Sequence, residues 1–452
     1  MKPLNVLLVT YSFPPAGGVG VLRAASLARY LPAEGIRLDV LTTRNASAVG
    51  TDSKLLEEIP PQVTIHRTMT LDLPFGLKKW IKRRITGGAS QTSAQTATGG
   101  AAKPGFLKSL LQDILLPDPQ VTWLPVLKRV ARRIVKERNI ELVLITVPPF
   151  SSAMLVEDLR KKFPRLPIVL DFRDEWLSTT IDLVSFSRSA RAQRVARAVE
   201  QVAVRDATVV VAVTEAARQE IRKRYPQQAE SKFQLIHNGF DAALYRDTEG
   251  SVISHSADKI LLTYVGSVYG STEPSTLVAA LQTLNPEMRS RFKLRFIGHI
   301  EEARYREALL QLGDMVELKG FVPQAEALAA MQEADYALLV THDPLNVAAK
   351  FYDYVGSGKP ILATVHPEGD VRRLLEELRA GWWADSRDVE GIRKLFIDAA
   401  ERSASLSTAF QPDRNKIAQY ERKVIAKRYA EVLHSIVEGQ NQNDSPASRH
   451  AS

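Results

Sequence analysis

The sequence predicts an α/β protein made of two doubly wound, Rossmann-like domains with parallel sheets that face a cleft. Short β-rich runs alternate with helical patterns in both halves of the chain, which is typical of parallel sheets covered by helices. The first series is NVLLVTY, RLDVLTT, ELVLITV, PIVLDF and ATVVVAV. The second is ILLTYVGS, KLRFIGH, VELKGFV, YALLVT and PILATV, and a polar, uneven stretch separates the two series.

These runs predict the domain boundaries. We expect a first domain over residues 1–245, a linker over 246–258 and a second domain over 259–412. A helical pattern over 413–438 predicts a closing helix, and the polar residues 439–452 predict a disordered tail. Residues 86–105, rich in Gly, Ser, Thr and Ala, predict a flexible insert.

Composition narrows the classes of partner and compartment. The 452 residues carry a formal charge of +9, which favours a phosphorylated ligand, an acidic membrane surface or a nucleic acid. No recognised nucleic-acid module or aromatic stacking pattern accompanies the charge, so nucleic acid is disfavoured. The absence of cysteine excludes disulfides and thiolate metal sites, and no apolar run is long enough to span a membrane. We expect a cytoplasmic protein.

A glycine-rich loop follows the first β-rich run, in the segment YSFPPAGGVG. Gly17 and Gly18 let backbone amides approach a ligand, and the helix that follows offers its positive N-terminal end to an anion. A simple turn that needs flexible residues explains the same pattern equally well. The spacing is not G-x-G-x-x-G, so it favours a dinucleotide site only weakly.

Three acids and an arginine follow the apolar run PIVL, in the segment DFRDEW from 171 to 176. They should lie at the carboxyl edge of the sheet, where such sheets bind ligands. Asp171 and Asp174 can act as an acid or base or bind sugar hydroxyls, and Arg173 can pair with an acid or a phosphate. An Asp–Arg ion pair that caps the next helix is the competing interpretation.

The segment AAKFYDYVGSGKPILA, from 348 to 363, places a lysine and an acid before a glycine turn. It is not a nucleotide-binding P-loop, because Gly356 and Gly358 are only two residues apart and Lys359 precedes a proline. The pattern predicts instead a short helix that ends in glycines, followed by the strand PILATV.

Lys350 and Asp353 would then lie on one face of this short helix, near its positive end. Lys350 and the backbone amides around Ala348 and Ala349 can bind phosphate, and Asp353 can accept hydrogen bonds from a ribose. An ordinary Lys–Asp pair within the helix is the competing interpretation.

The order of these motifs resembles the family 4 glycosyltransferases of GT-B fold, of the bacterial surface-polysaccharide type. The motifs are the GG loop, DFRDEW, NGFD, YVGS, KGFVP and KFYDYVGSGKPI, and the resemblance covers roughly residues 4 to 435. It implies transfer of a sugar from a nucleotide diphosphate donor with retention of configuration. The donor would lie mainly on the second domain and the acceptor mainly on the first.

The resemblance also implies which residues bind the donor. Asp353 matches the second of two family glutamates, which binds ribose hydroxyls, whereas Leu345 stands where the first glutamate falls. Ser267 lies where members often carry an arginine and a lysine for the diphosphate, so Lys350 replaces them by charge. The implied donor site contains Gly17, Gly18, Gly266, Ser267, Gly320, Phe321, Val322, Ala348, Ala349, Lys350 and Asp353.

The acceptor side and the chemistry follow from the same resemblance. Asp171, Arg173 and Asp174 are the implied acceptor-binding residues, and Asp174 and Lys350 the catalytic ones. We expect neither a metal nor another cofactor, since no Asp-x-Asp pair can hold a divalent ion against the diphosphate. Lysine, helix termini and backbone amides would stabilise the leaving phosphate.

The segment GLKKWIKRRI, from 76 to 85, points to a membrane surface, because it combines five basic residues with a tryptophan. A solvated helix face is the competing interpretation. The resulting hypothesis is a lipid-linked or polysaccharide-precursor acceptor at the cytoplasmic leaflet. A sugar-nucleotide epimerase of the same architecture and a nucleotide-sugar-binding protein without catalysis are the alternative functions.

Overall fold

Two parallel sheets organise the chain in the computed structural model, which describes residues 3–46, 51–70, 115–178, 190–245 and 259–443. Within this part of the chain, the first sheet has seven strands in the order β3-β2-β1-β4-β5-β6-β7. They are β1 (Leu4–Val9), β2 (Ile36–Thr43), β3 (Thr64–Thr68), β4 (Leu142–Val147), β5 (Ile168–Phe172), β6 (Val209–Ala212) and β7 (Phe233–Leu235).

The second sheet repeats this arrangement. Its described strands run in the order β10-β9-β8-β11-β12-β13. They are β8 (Ile260–Val265), β9 (Phe292–Ile297), β10 (Val316–Gly320), β11 (Tyr336–Val340), β12 (Ile361–Val365) and β13 (Gly381–Asp385). Both sheets reverse their strand order beside the first strand, and ligands bind at such switch points. The predicted α/β class with two doubly wound domains is confirmed.

Helices cover both faces of each sheet, which explains why the central strands are mainly apolar. The first domain contains α1 (Val19–Tyr30), α2 (Lys54–Glu57), α3 (Leu124–Glu137), α4 (Met154–Lys162), α5 (Ala190–Asp206) and α6 (Glu215–Arg224). The second contains α7 (Ser275–Gln282), α8 (Pro286–Ser290), α9 (Ala303–Leu310), α10 (Gln324–Glu333), α11 (Ala349–Ser357), α12 (Asp370–Glu377), α13 (Val389–Arg402) and α14 (Leu406–Ala409).

The chain returns to the first domain after the second is complete. The closing segment, expected as one helix over 413–438, consists of α15 (Arg414–Ala418) and α16 (Arg422–Asn443). Helix α16 extends to residue 443, past the expected start of the tail at 439, because adding residues to an existing helix is easier than starting one. Its apolar side, with Tyr429 and Leu433, packs against α1 and joins the core cluster that also contains Leu4 and Val6.

Several sequence predictions lie outside the described residues. They are the flexible insert at 86–105, the basic segment at 76–85, the linker at 246–258 and the tail from 444 onward. In the part of the chain that the structure describes, no helix combines the length and apolar character needed to cross a membrane.

Candidate active site

A cavity of about 520 Å³ opens between the two domains, at the carboxyl ends of both sheets. The first domain contributes the start of α1 and the loops that follow β4, β5 and β7. The second contributes the loops after β8 and β11 and the start of α11, and α16 contributes its first turn. The cavity therefore draws residues from both domains.

Lys350 is held over an aromatic ring at the wall of this cavity. Its ammonium nitrogen lies 3.9 Å from the ring centroid of Tyr264 and donates a hydrogen bond to the Tyr264 hydroxyl. Burial lowers the pKa of Lys350 to about 7. An anion in the cavity would favour the charged form, because an opposite charge counteracts desolvation.

Gly266 makes room for this lysine. Its φ of +124° is a backbone conformation that glycine adopts readily. A Cβ at this position would lie 3.0 Å from the Cε and Nζ atoms of Lys350. Ser267, the next residue, also lines the cavity and accepts a hydrogen bond from the Tyr264 hydroxyl through its carbonyl at 2.7 Å. Tyr264 is a site residue that the sequence reasoning missed.

Asp353 lines the cavity one turn along α11, as the helical spacing predicts. Burial raises the pKa of Asp353 to about 6, with Arg422 opposing the rise and Asp241 adding to it. Arg422, at the start of α16, lines the same cavity and donates its Nε–H to the Gly239 carbonyl at 3.1 Å. No local pattern singles out Arg422 in the sequence.

Ala348 and Ala349 lie beside Lys350 on the cavity wall, at the start of α11. Helix α11 ends where the sequence predicts, at Gly358 in the left-handed conformation with φ 71°. The short helix therefore directs its N-terminal end, with its positive partial charge, at the cavity.

Asp171 is placed inside the protein instead of on the cavity wall. Its side chain is fully buried and forms a bidentate pair with Arg23, with Nε–Oδ2 and Nη2–Oδ1 distances of 3.1 and 3.0 Å. The Tyr429 hydroxyl donates to Asp171 Oδ1 at 2.7 Å. The acceptor-binding role expected for Asp171 is therefore corrected to a structural one, because these internal partners occupy both carboxylate oxygens.

Arg173 and Asp174 both line the cavity. Arg173 donates hydrogen bonds to the carbonyls of Val147, Pro148 and Gly20, so it ties the end of β4 and the first turn of α1 to the end of β5. The sequence also allowed an Asp–Arg ion pair that caps the next helix. The N–H groups of Arg173 instead donate to these three backbone carbonyls. Burial raises the pKa of Asp174 against the opposing effect of Arg173.

The remaining expected residues lie at the margin. Gly18 directly precedes α1 with φ +100°, and the cavity wall begins after Gly17 and Gly18, at Val19. Gly320, Phe321 and Val322 end β10 and start the loop after it without lining the cavity, and Phe321 is 81 % exposed.

Asp343 and Asn346 form a polar bridge between the domains, on either side of Leu345. Asp343 lines the cavity and accepts hydrogen bonds from the backbone N–H of Leu345 at 2.8 Å and from the Asn346 side chain at 2.9 Å. The Asn346 side-chain oxygen accepts from the Glu175 N–H at 3.1 Å, across the domain boundary. Leu345 itself is absent from the wall, and its carbonyl accepts a bond from Thr214 at 2.6 Å.

Family models match both halves of the chain. Residues 17–239 match a glycosyl transferase 4-like domain, and residues 259–401 match the glycosyl transferases group 1. The chain belongs to the family 4 glycosyltransferases of GT-B fold. The two matched segments correspond to the two domains that form the cavity.

One curated relative and two solved structures extend the comparison for this glycosyltransferase. A putative colanic acid biosynthesis glycosyltransferase, WcaL of Salmonella typhimurium, is 24 % identical over 155 residues, which are 32 % of this chain and 38 % of the relative. Anabaena HepE in complex with UDP and glucose shows the same fold, with a TM-score of 0.61, 16 % identity and coverage of 95 % and 99 % of the two chains. Sucrose-phosphate synthase from Thermosynechococcus elongatus has a TM-score of 0.64 and 16 % identity, with coverage of 96 % and 100 %.

Proposed function

We propose that this glycosyltransferase moves a sugar from a nucleotide diphosphate donor to a hydroxyl acceptor with retention of configuration. The observation that carries the proposal is a buried lysine, Lys350, held beside Gly266 and the N-terminal end of α11 and facing the cavity. A lysine side chain and a helix N-terminus together suit a diphosphate. The UDP present in the HepE structures supports this donor class.

The residues suggest how the donor lies. Lys350 and the amides at Ala348 and Ala349 take the diphosphate, while Asp353 accepts hydrogen bonds from ribose hydroxyls. Gly17, Gly18, Gly320, Phe321 and Val322 remain proposed donor contacts at the margin of the cavity.

The transfer balances without another reactant. The bond between the anomeric carbon and the diphosphate oxygen breaks, a bond to the acceptor oxygen forms on the same face, and the acceptor proton moves to the leaving diphosphate. Lys350 stabilises the charge that develops on this diphosphate. Asp174, which lines the same cavity, accepts a hydrogen bond from the acceptor hydroxyl and positions it for this transfer. The expectation that no metal takes part stays a prediction.

The proposal is tested by calorimetric titration with UDP, GDP and ADP, followed by measurement of nucleotide diphosphate release from the matching sugar donors. We expect one diphosphate to bind and its release to depend on an added acceptor. Binding without acceptor-dependent release would favour the binding protein without catalysis, and sugar epimerisation without an acceptor would favour the epimerase.

We also propose that the acceptor is a lipid-linked or polysaccharide precursor at the cytoplasmic face of a membrane. The name of the WcaL relative supports this class of acceptor. Helices α3, α4 and α5 pack side by side on one face of the first sheet and contain twelve Lys and Arg against five Asp and Glu. Such an excess of positive charge suits an anionic surface, together with the segment 76–85.

Vesicle flotation tests the membrane part of the proposal. We expect binding to vesicles containing phosphatidylglycerol, weaker binding at high salt, and a further loss when the exposed Arg129, Arg194 and Arg197 are changed to Glu. Equal flotation with neutral vesicles, or none with anionic ones, would contradict it.

A further inference from the structure

The part of the cavity wall formed by the first domain and by Tyr269 and Asp343 carries more carboxylate than unmatched cation. The first domain contributes Arg23, Arg173 and Asp174 to this wall, and the loops after β8 and β11 contribute Tyr269 and Asp343. The charges of this wall, and the partners that already engage them, determine what kind of acceptor group fits there.

The two arginines are engaged by the protein itself. All three guanidinium nitrogens of Arg23 donate to protein acceptors, and its charge is matched by the buried Asp171. Arg173 donates to three backbone carbonyls and lies next to Asp174, which offsets its charge. Neither arginine therefore presents an unmatched positive charge to a ligand.

The two aspartates face the cavity from opposite domains. Within the described residues, the Asp174 carboxylate accepts no hydrogen bond from the protein, so its oxygens are available to a ligand. Asp343 accepts three N–H hydrogen bonds from residues 345 and 346. Burial raises the pKa of Asp174, and the Asp343 charge raises it further, which indicates that the two carboxylates act on the same space.

We infer that the acceptor presents an uncharged polyhydroxyl group to this wall, as a neutral saccharide does, and that Asp174 and Asp343 exclude a phosphate beside the reacting hydroxyl. The inference rests on the proposed function. A carboxylate with free oxygens accepts hydrogen bonds from sugar hydroxyls, and Tyr269 adds a hydroxyl at the same wall. Asp171 balances the charge of Arg23 and Asp174 balances that of Arg173, so Asp343 leaves the described residues of this wall with a net negative charge, which disfavours a phosphate dianion.

The competing class is a phosphorylated sugar, and a matched pair of ligands separates the two. Glucose and glucose 6-phosphate are compared on the UDP-saturated protein by saturation-transfer NMR, and as acceptors by the rate of UDP release from UDP-glucose. We expect glucose to bind at least about tenfold better than its phosphate. Asp174→Asn and Asp343→Asn should each narrow this ratio by about threefold, whereas the exposed control Asp314→Asn should leave it unchanged.

Each outcome of this comparison has a definite meaning. A ratio near one or below one in the wild type, including a lack of binding by both sugars, overturns the inference. So does a ratio that stays the same in Asp174→Asn and Asp343→Asn. UDP binding with no such discrimination refutes the acceptor class alone, whereas a failure of the wild type to bind UDP refutes the UDP donor site and this inference with it.

Discussion

The two domains present the same sheet edge to the cavity but use their charges differently. In the first domain, Arg23 and Asp171 form a buried ion pair, and Arg173 donates hydrogen bonds to backbone carbonyls. In the second, Lys350 and Asp353 line the cavity with no ion pair between them, and burial shifts the pKa of each toward its neutral form. The first arrangement stabilises the fold, and the second leaves two ionisable groups whose charged forms a ligand can stabilise.

The largest effect expected from this comparison is on stability, at Asp171. Asp171→Ala leaves the Arg23 guanidinium buried without its counter-charge, which should lower the free energy of unfolding by about 3–5 kcal/mol. Urea denaturation measures this loss. The exposed Asp314→Ala is the control and should change stability by less than about 0.5 kcal/mol. If Asp171→Ala lowered the free energy of unfolding as little as the control does, the structural role of the Arg23–Asp171 pair would be contradicted.

A smaller effect, on binding, is expected at Lys350. Lys350→Met removes the charge that faces the diphosphate, so UDP affinity should fall by about 10- to 100-fold, equivalent to ~1.4–2.8 kcal/mol. Uridine lacks the diphosphate, and its affinity should change by less than about twofold. Calorimetry with both ligands measures the difference. An equal loss for uridine would show that Lys350 supports the pocket generally.

Asp353 should affect the binding of uridine in a pH-dependent way. Its carboxylate accepts hydrogen bonds from ribose hydroxyls best when it is ionised. Because the pKa of Asp353 is about 6, the carboxylate is protonated as the pH drops through 6, and uridine affinity should fall. Uridine is the ligand of choice because it has no phosphate to titrate. Asp353→Asn should bind about tenfold more weakly at pH 8 and lose this pH dependence.

The groups around Asp353 provide the control for this titration. Arg422 and Asp241 act on its pKa directly, and Tyr245 and Tyr354 interact with its charge. Of these neighbours Asp241 is the other carboxylate, so Asp241→Asn should shift the midpoint of the uridine titration to lower pH without abolishing it. A titration that persists unchanged in Asp353→Asn would assign the midpoint to another group.

The smallest effect is a coupling of protons to donor binding. At pH 8 the Lys350 amine, with a pKa of about 7, is mostly neutral in the free protein. A bound diphosphate favours its charged form, so UDP binding should take up about one proton. Calorimetry in two buffers of different ionisation enthalpy measures this uptake. Lys350→Met should show none, and uptake that remains in this variant would contradict the assignment.

The sequence predicts the fold and the local site geometry well, because both depend on short-range patterns. The alternation of strands and helices and the short helix around Lys350 follow from periodicity and from the glycine at 358. Short-range patterns do not show that Asp171 lies in the interior whereas Asp174 lines the cavity. Only contact with Arg23 and Tyr429, distant in sequence, decides which of these acids is internal. The sequence does not predict Arg422 as a site residue, because its neighbours at the cavity belong to other parts of the chain.

The return of α16 to the first domain has a consequence for synthesis of the chain. Tyr429 and Leu433 complete the core that begins with Leu4 and Val6, and Tyr429 also completes the partners of Asp171. Domains commonly fold in order as they leave the ribosome, the N-terminal one first. Here the first domain reaches its final packing only after the second has been translated, so its early form exposes an apolar groove where α16 will lie. A nascent chain of this protein is thus exposed to chaperones and proteases until α16 emerges.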